Sequence, residues 1–148
     1  MRLSTKGRYA VTAMLELAIR GDSQPVSLGV IADTQGISNS YLEQLFRKLS
    51  QHGLVKGMRG PNGGYRLSKP ANQITVADII TAVDEKVDST NCNGMGNCQD
   101  GHQCLAHELW TELSQLLFNF LDNITLEQYA NRPSVIALNS ASGVMPNK

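Results

Sequence analysis

All three cysteines of this 148-residue chain fall in one glycine-rich stretch that ends in a histidine: Cys92-Asn-Gly-Met-Gly-Asn-Cys98-Gln-Asp-Gly-His-Gln-Cys104-Leu-Ala-His107. Three thiols and an imidazole amount to a four-donor set suited to a soft metal. Thiols concentrated in this way are placed to ligate rather than to staple a fold. Structural zinc accepts three Cys and one His, but its usual signature contains a closely spaced Cys pair. Here only Cys104 and His107 are close, and Gly94, Gly96 and Gly101 let the loop wrap something wider than one ion. The spacing leaves three readings open, in this order: an iron–sulfur cluster, a zinc ion, and redox-active thiols without metal. If iron is held, the mixed donor set is asymmetric, because imidazole is a weaker ligand than thiolate and secures its iron less well.

The rest of the chain must position that loop and give it something to control. About 41% apolar residues are enough for a real core in one domain with an appended element. The odd cysteine count, with no apolar segment of signal-peptide type at the start, points to a reducing cytoplasm. No run approaches the roughly 20 apolar residues of a membrane span. A net charge of zero hides an uneven distribution. Up to Arg66 the basic groups (Arg2, Lys6, Arg8, Arg20, Arg47, Lys48, Lys56, Arg59, Arg66) outnumber the acidic ones (Glu16, Asp22, Asp33, Glu43), and the remainder carries the opposite excess. A basic half points to a polyanion as partner, since neutralising phosphates releases counterions.

Ser4 can cap a first helix running to about Arg20, with Tyr9, Ala10, Ala13, Met14, Leu17 and Ala18 on one face and Gly21 as a stop. Arg2, Lys6 and Arg8 crowd its start. Ser27 caps a short helix through about Thr34, and Gly36 ends it. A second helix then spans roughly Asn39 to Gln51, with Leu42, Leu45, Phe46 and Leu49 at buried spacing. Ala32 lets two helices approach, Gly36 permits the turn, and Leu42 plugs the angle between them. This is the pattern of a helix-turn-helix.

The predicted exposed face of that second helix carries side chains able to reach base edges or phosphates: Ser38, Ser40, Glu43, Gln44, Arg47 and Lys48. Tyr41 is a further expected DNA contact. Glu43 can accept from a cytosine amino group and repels phosphates and base acceptors, which discriminates against some sites. The bland alternative for Glu43 is an ion pair with Arg47 four residues on. Leu54 to Arg59 and Tyr65 to Leu67 read as two short strands around a Gly60-Pro61-Asn62-Gly63-Gly64 loop. A helix-turn-helix followed by such a hairpin is a winged helix, and Arg59 at the base of the wing can enter a narrow, negative minor groove.

Thr75 and Asp78 make a capping-box-like start to a helix reaching about Asp84. After the cysteine loop a long amphipathic helix is expected from about Gln103 to Asp122, bearing Leu105, Leu109, Leu113, Leu116, Leu117, Phe120 and Leu121. A small winged domain cannot cover that whole stripe, so part of it is expected to pack on a second subunit. From Pro133 the composition predicts a flexible tail. No phosphate-cradling or dinucleotide motif is present, and a carrier or enzyme has no need of a basic helix, so enzymatic and cluster-carrier readings fall behind a DNA-binding one.

Four segments together resemble the winged-helix family of bacterial cluster-sensing transcription regulators. They are the opening Met-Arg-Leu-Ser-Thr-Lys-Gly-Arg-Tyr-Ala-Val-Thr-Ala-Met, Gln35 to Phe46, the wing Val55 to Tyr65 with its Arg-Gly-Pro-Asn-Gly-Gly-Tyr, and the Cys92 to His107 loop. The likeness runs from Met1 to about Asn131. It implies a 2Fe-2S cluster on Cys92, Cys98, Cys104 and His107, and a homodimer on double-stranded operator DNA. It further implies that Ser40, Glu43 and Gln44 read the major groove and Arg59 reaches the minor groove. The implied role is to repress iron–sulfur cluster assembly genes and to act on other promoters as well. The expected fold is mainly α with a small β-hairpin wing. Its parts are a winged helix-turn-helix over 1–84, a cluster-binding loop over 85–107, a dimerisation helix and helical segment over 103–131, and a tail over 132–148.

Overall fold

The structure, a computed structural model, describes residues 5–20, 24–61, 63–83, 95–96 and 101–141. Helix α1 (Thr5–Arg20) buries Gly7, Ala10, Ala13, Met14 and Leu17, a helical repeat of small and apolar side chains. Helix α2 (Leu28–Gln35) starts where Ser27 accepts from the Val30 N–H at 3.2 Å. It stops where Gly36 takes the left-handed conformation, φ 67°, and donates its N–H to Ala32 O. Glycine meets that conformation at no steric cost, which turns the chain sharply into the next helix.

Helix α3 (Asn39–Gln51) opens on Ser38, whose hydroxyl accepts from the Tyr41 N–H at 3.2 Å. Its inner face, Leu42, Leu45, Phe46 and Leu49, is entirely buried. Strands β1 (Val55–Met58) and β2 (Gly64–Leu67) pair antiparallel, with Val55 opposite Leu67, Lys56 opposite Arg66, Gly57 opposite Tyr65 and Met58 opposite Gly64. A third piece of backbone joins this hairpin. Val26 and Tyr65 exchange two N–H···O bonds of 2.8 Å, so the segment before α2 is stitched to the wing. Gly64 is what permits it, since a Cβ there would lie 2.4 Å from Val26 O.

A short 3-10 turn (Ala71–Gln73) leads to α4 (Val76–Ala82), which begins with the reciprocal capping box of Thr75 and Asp78. Helix α5 (His107–Asp122) returns, and its end is tied to the start of α4. Val76 N–H donates to Ile124 O, Leu126 N–H to Ile74 O, and Thr75 Oγ1 to Asp122 Oδ1 at 3.2 Å. Helix α6 (Leu126–Ala130) then packs on α1 behind a second capping box, Thr125 with Gln128. Leu126 joins the core formed by α1, α3 and α4.

Two boundaries differ from expectation. The long helix starts at His107 instead of Gln103, because the chain from Cys104 closes a turn in which His107 N–H donates to Cys104 O at 3.1 Å. A flexible tail was expected from Pro133, and helix α7 spans Pro133–Ala141. Proline suits a first helical position, where its missing N–H has no partner to lose. The following Val135 and Ile136 N–H groups both donate to Arg132 O. Along α5, Leu109, Leu113, Leu116 and Phe120 are exposed and Leu117 and Leu121 half-buried, so among the described residues much of the apolar stripe lacks cover.

The close approach at Gly64 yields a test. Gly64→Ala should lower unfolding stability by about 1–3 kcal/mol through forced displacement of the Val26 strand. Gly57→Ala, whose added Cβ would lie an ordinary 3.6 Å from the Tyr65 ring, should stay within about 0.5 kcal/mol. Urea unfolding at one fixed protein concentration distinguishes the two.

Candidate nucleic-acid interface and metal centre

The burial of Leu42, Leu45, Phe46 and Leu49 dictates what faces solvent. Ser40, Glu43, Gln44 and Arg47 are all exposed and follow the i, i+3, i+4, i+7 repeat of a single helix face. They carry hydroxyl, carboxylate, amide and guanidinium groups, the donors and acceptors that distinguish base edges in a major groove. Glu43 makes no ion pair with Arg47, so the bland i+4 reading of that residue is not realised. Both instead line a shallow cleft with Leu28, Ser50, Gln51 and Tyr65, between α3 and the wing.

Other expected contacts divide between structural and outward-facing roles. Ser38 is exposed, yet its oxygen is engaged as the α3 cap. Tyr41 is half-buried, edge-on to Tyr9 with centroids 5.7 Å apart. That contact brings the start of α1, with half-buried Lys6 and exposed Arg8, beside the start of α3. Lys48 is half-buried on the flank of α3. Arg2 lies outside the described residues. Arg59 is exposed just beyond β1. The Phe46 and Tyr65 rings, 4.8 Å apart, fix the wing against α3 and so fix Arg59 relative to the helix face.

One residue that holds this unit together carries no sequence signal of its role. Glu16 is 3% exposed, on the core side of α1. Its carboxylate accepts from Arg20 Nε at 2.6 Å, Thr34 Oγ1 at 3.3 Å and Gln35 Nε2 at 2.5 Å. It therefore ties α1 to the last turn of α2, directly before the Gly36 turn. In sequence it looks like a surface i,i+4 pair with Arg20.

Of the four sulfur and nitrogen donors, the described residues contain two. The turn described above sets Cys104, half-buried, beside His107, which opens α5 and is 8% exposed. Cys92 and Cys98 lie outside the described residues, and among the described residues no three metal-ligating side chains cluster. Gly96 and Gly101 take left-handed backbone (φ 74° and 83°). The arrangement fits a soft-metal centre at the start of α5: a thiol and a shielded imidazole one turn apart, with two more thiols upstream. His102 is exposed, and the His52 Nδ1 contacts Lys48 O at the end of α3, so neither is drawn toward that centre.

The sequence profile of Rrf2, described as an iron-dependent transcriptional regulator, matches residues 3–132. The chain belongs to the Rrf2 family. It is 56% identical over 136 residues to the HTH-type transcriptional regulator IscR of Cronobacter sakazakii, covering 92% of this chain and 84% of the relative. It is 54% identical to the IscR of Escherichia coli over the same length. Among solved structures, CymR, the global cysteine regulator of B. subtilis, superposes with a TM-score of 0.76 at 37% identity, covering 88% of this chain and 96% of that one. T. potens IscR superposes at 0.69 and 32%, covering 100% and 94%. This Rrf2 member is a winged-helix DNA-binding transcriptional regulator and not an enzyme. Among its described residues no helix is long and apolar enough to cross a membrane.

The two serines at the start of α3 separate capping from reading. Ser38→Ala should cost about 1 kcal/mol of stability through loss of the cap. Ser40→Ala should change stability by no more than about 0.5 kcal/mol while weakening binding to target DNA. Thermal unfolding and fluorescence anisotropy on both variants check the pairing of effects.

Proposed function

We propose that this chain is a cytoplasmic homodimeric regulator that senses iron–sulfur status through a 2Fe-2S cluster on Cys92, Cys98, Cys104 and His107. In this reading it represses iron–sulfur cluster assembly genes and regulates other promoters. The observation that carries the reading is the joining of two features in one fold: an exposed reading face on α3, and a Cys104–His107 turn at the start of α5. The family's description as iron-dependent and the IscR relatives support it.

A cluster held there supplies a tie that exists only when iron and sulfide are plentiful. What the residues do follows from their places in the chain. Cys92 and Cys98 follow α4 in sequence, whereas Cys104 and His107 lead into α5. Shared ligation would join the exit of α4 to the start of α5. The far end of α5 is already pinned to α4 by Thr75, Asp122 and the Ile74–Leu126 bond. Ligation would therefore add a tie at the start of α5 to the one that already holds its far end.

The exposed side chains Leu109, Leu113, Leu116 and Phe120 supply the dimer contact, a second copy of the same stripe being self-complementary. Holding α5 then sets the separation of two α3 helices, and half-site recognition depends on that separation. Ser40, Glu43 and Gln44 read base edges in the major groove, and Arg59 enters the minor groove. Lys6, Arg8, Arg47 and Lys48, with Arg2 before α1, hold the backbone phosphates. Glu43, free of Arg47, penalises sites that present acceptors to it.

Anaerobic purification tests the cluster and the assembly together. The expected protein is coloured, holds iron and sulfide at about two each per chain, and sediments as a dimer. Cys92→Ala should abolish the colour and the sulfide, and His107→Cys should change how long the cluster is retained. Zinc without sulfide, or a monomer at micromolar concentration, would defeat this reading.

A further inference from the structure

Between Glu43 and Asp78 the chain holds Arg47, Lys48, Lys56, Arg59, Arg66 and Lys69 and no acidic residue. The strand register places two of these bases directly opposite each other, Lys56 on β1 and Arg66 on β2. Alternation along the strands decides where they point. Val55 is buried, Leu67 packs on the core, and Tyr65 packs against Phe46, so these side chains take the inner face. Lys56 and Arg66 take the outer one, where Lys56 is exposed and Arg66 half-exposed. Neither has an acidic partner among the described residues. Like charges opposed across a ladder oppose folding, so nothing in the isolated wing accounts for this pair. A polyanion lying along the outer face would.

Resting on the reading of α3 and Arg59 as DNA-contacting, we infer that Lys56 and Arg66 form a backbone-phosphate clamp on the outer face of the wing. Arg59 lies three residues beyond Lys56, about 10 Å along an extended strand. A guanidinium lodged in a minor groove about 6 Å wide has phosphates of both strands flanking it. A basic pair that far back along the same hairpin meets the groove's phosphate rim. The pair contributes affinity without reading sequence, because phosphate contacts position a protein and base contacts specify its site.

The test compares the full-length protein with Lys56→Gln/Arg66→Gln, binding an operator duplex and a random duplex over a range of salt. The double variant should bind both duplexes more weakly, with the operator preference retained. The slope of log affinity against log salt should become shallower by about 0.9 for each phosphate contact removed. Lys56→Arg, which keeps the charge, should retain the parent slope. The unfolding midpoint of the free double variant should hold or rise, since a repulsion has been removed. An unchanged slope, a loss confined to the operator, or a lowered midpoint would each overturn the clamp. If the parent protein itself shows no salt-dependent binding to either duplex, the DNA reading fails and not the clamp alone.

Discussion

The packing of Phe46 is the contact on which the rest of this molecule depends. Its ring fills the core beneath α3 and meets Tyr65 of the wing, so one side chain sets both the rotation of the recognition helix and the seat of the hairpin. Fully burying a large apolar side chain contributes about 1.5–3 kcal/mol, and Leu42, Leu45 and Leu49 are buried beside it. Turning α3 far enough to hide Ser40 or Gln44 would expose several of the four, a cost comparable to the whole stability of a small domain. The proposed reading face is thus a consequence of the core, which leaves its polar side chains in solvent.

The other end of the molecule is organised by backbone. The chain leaves the winged domain after α4 and comes back through Ile124 and Leu126, which hydrogen-bond beside Thr75. That return anchors the end of α5, and the proposed cluster would act at its start. In the proposed reading, ligation at that start would bias where α5, and any second copy packed on its exposed apolar residues, comes to lie. An effector at such a place acts only by favouring one arrangement of the reading heads over another.

Local rules made much of this visible in the residues alone. The Ser27 and Ser38 caps, the Gly36 turn and the Thr75–Asp78 box are interactions between neighbours in sequence, and each is present. The proposed four-donor set rests on spacing, and two of its members, Cys92 and Cys98, fall outside the described residues. Glu16 was not legible, because Thr34 and Gln35 reach it from a different helix and nothing local separates it from a surface glutamate. The Val26–Tyr65 bridge is likewise a tertiary pairing. Helix α7 and the late start of α5 were misjudged for opposite reasons. Polar composition hid a proline-started helix, and an apolar stripe suggested helix across residues that the Cys104–His107 turn claims.

The measurement closest to the central claim is the affinity of one anaerobic preparation for a set of promoter duplexes, before and after its cluster is removed. The account predicts that the set of sites bound changes on removal, with binding to cluster assembly promoters weakened and the protein still folded. Identical affinities for every duplex in the two states would contradict it, leaving a DNA-binding protein whose cysteine loop does not control recognition.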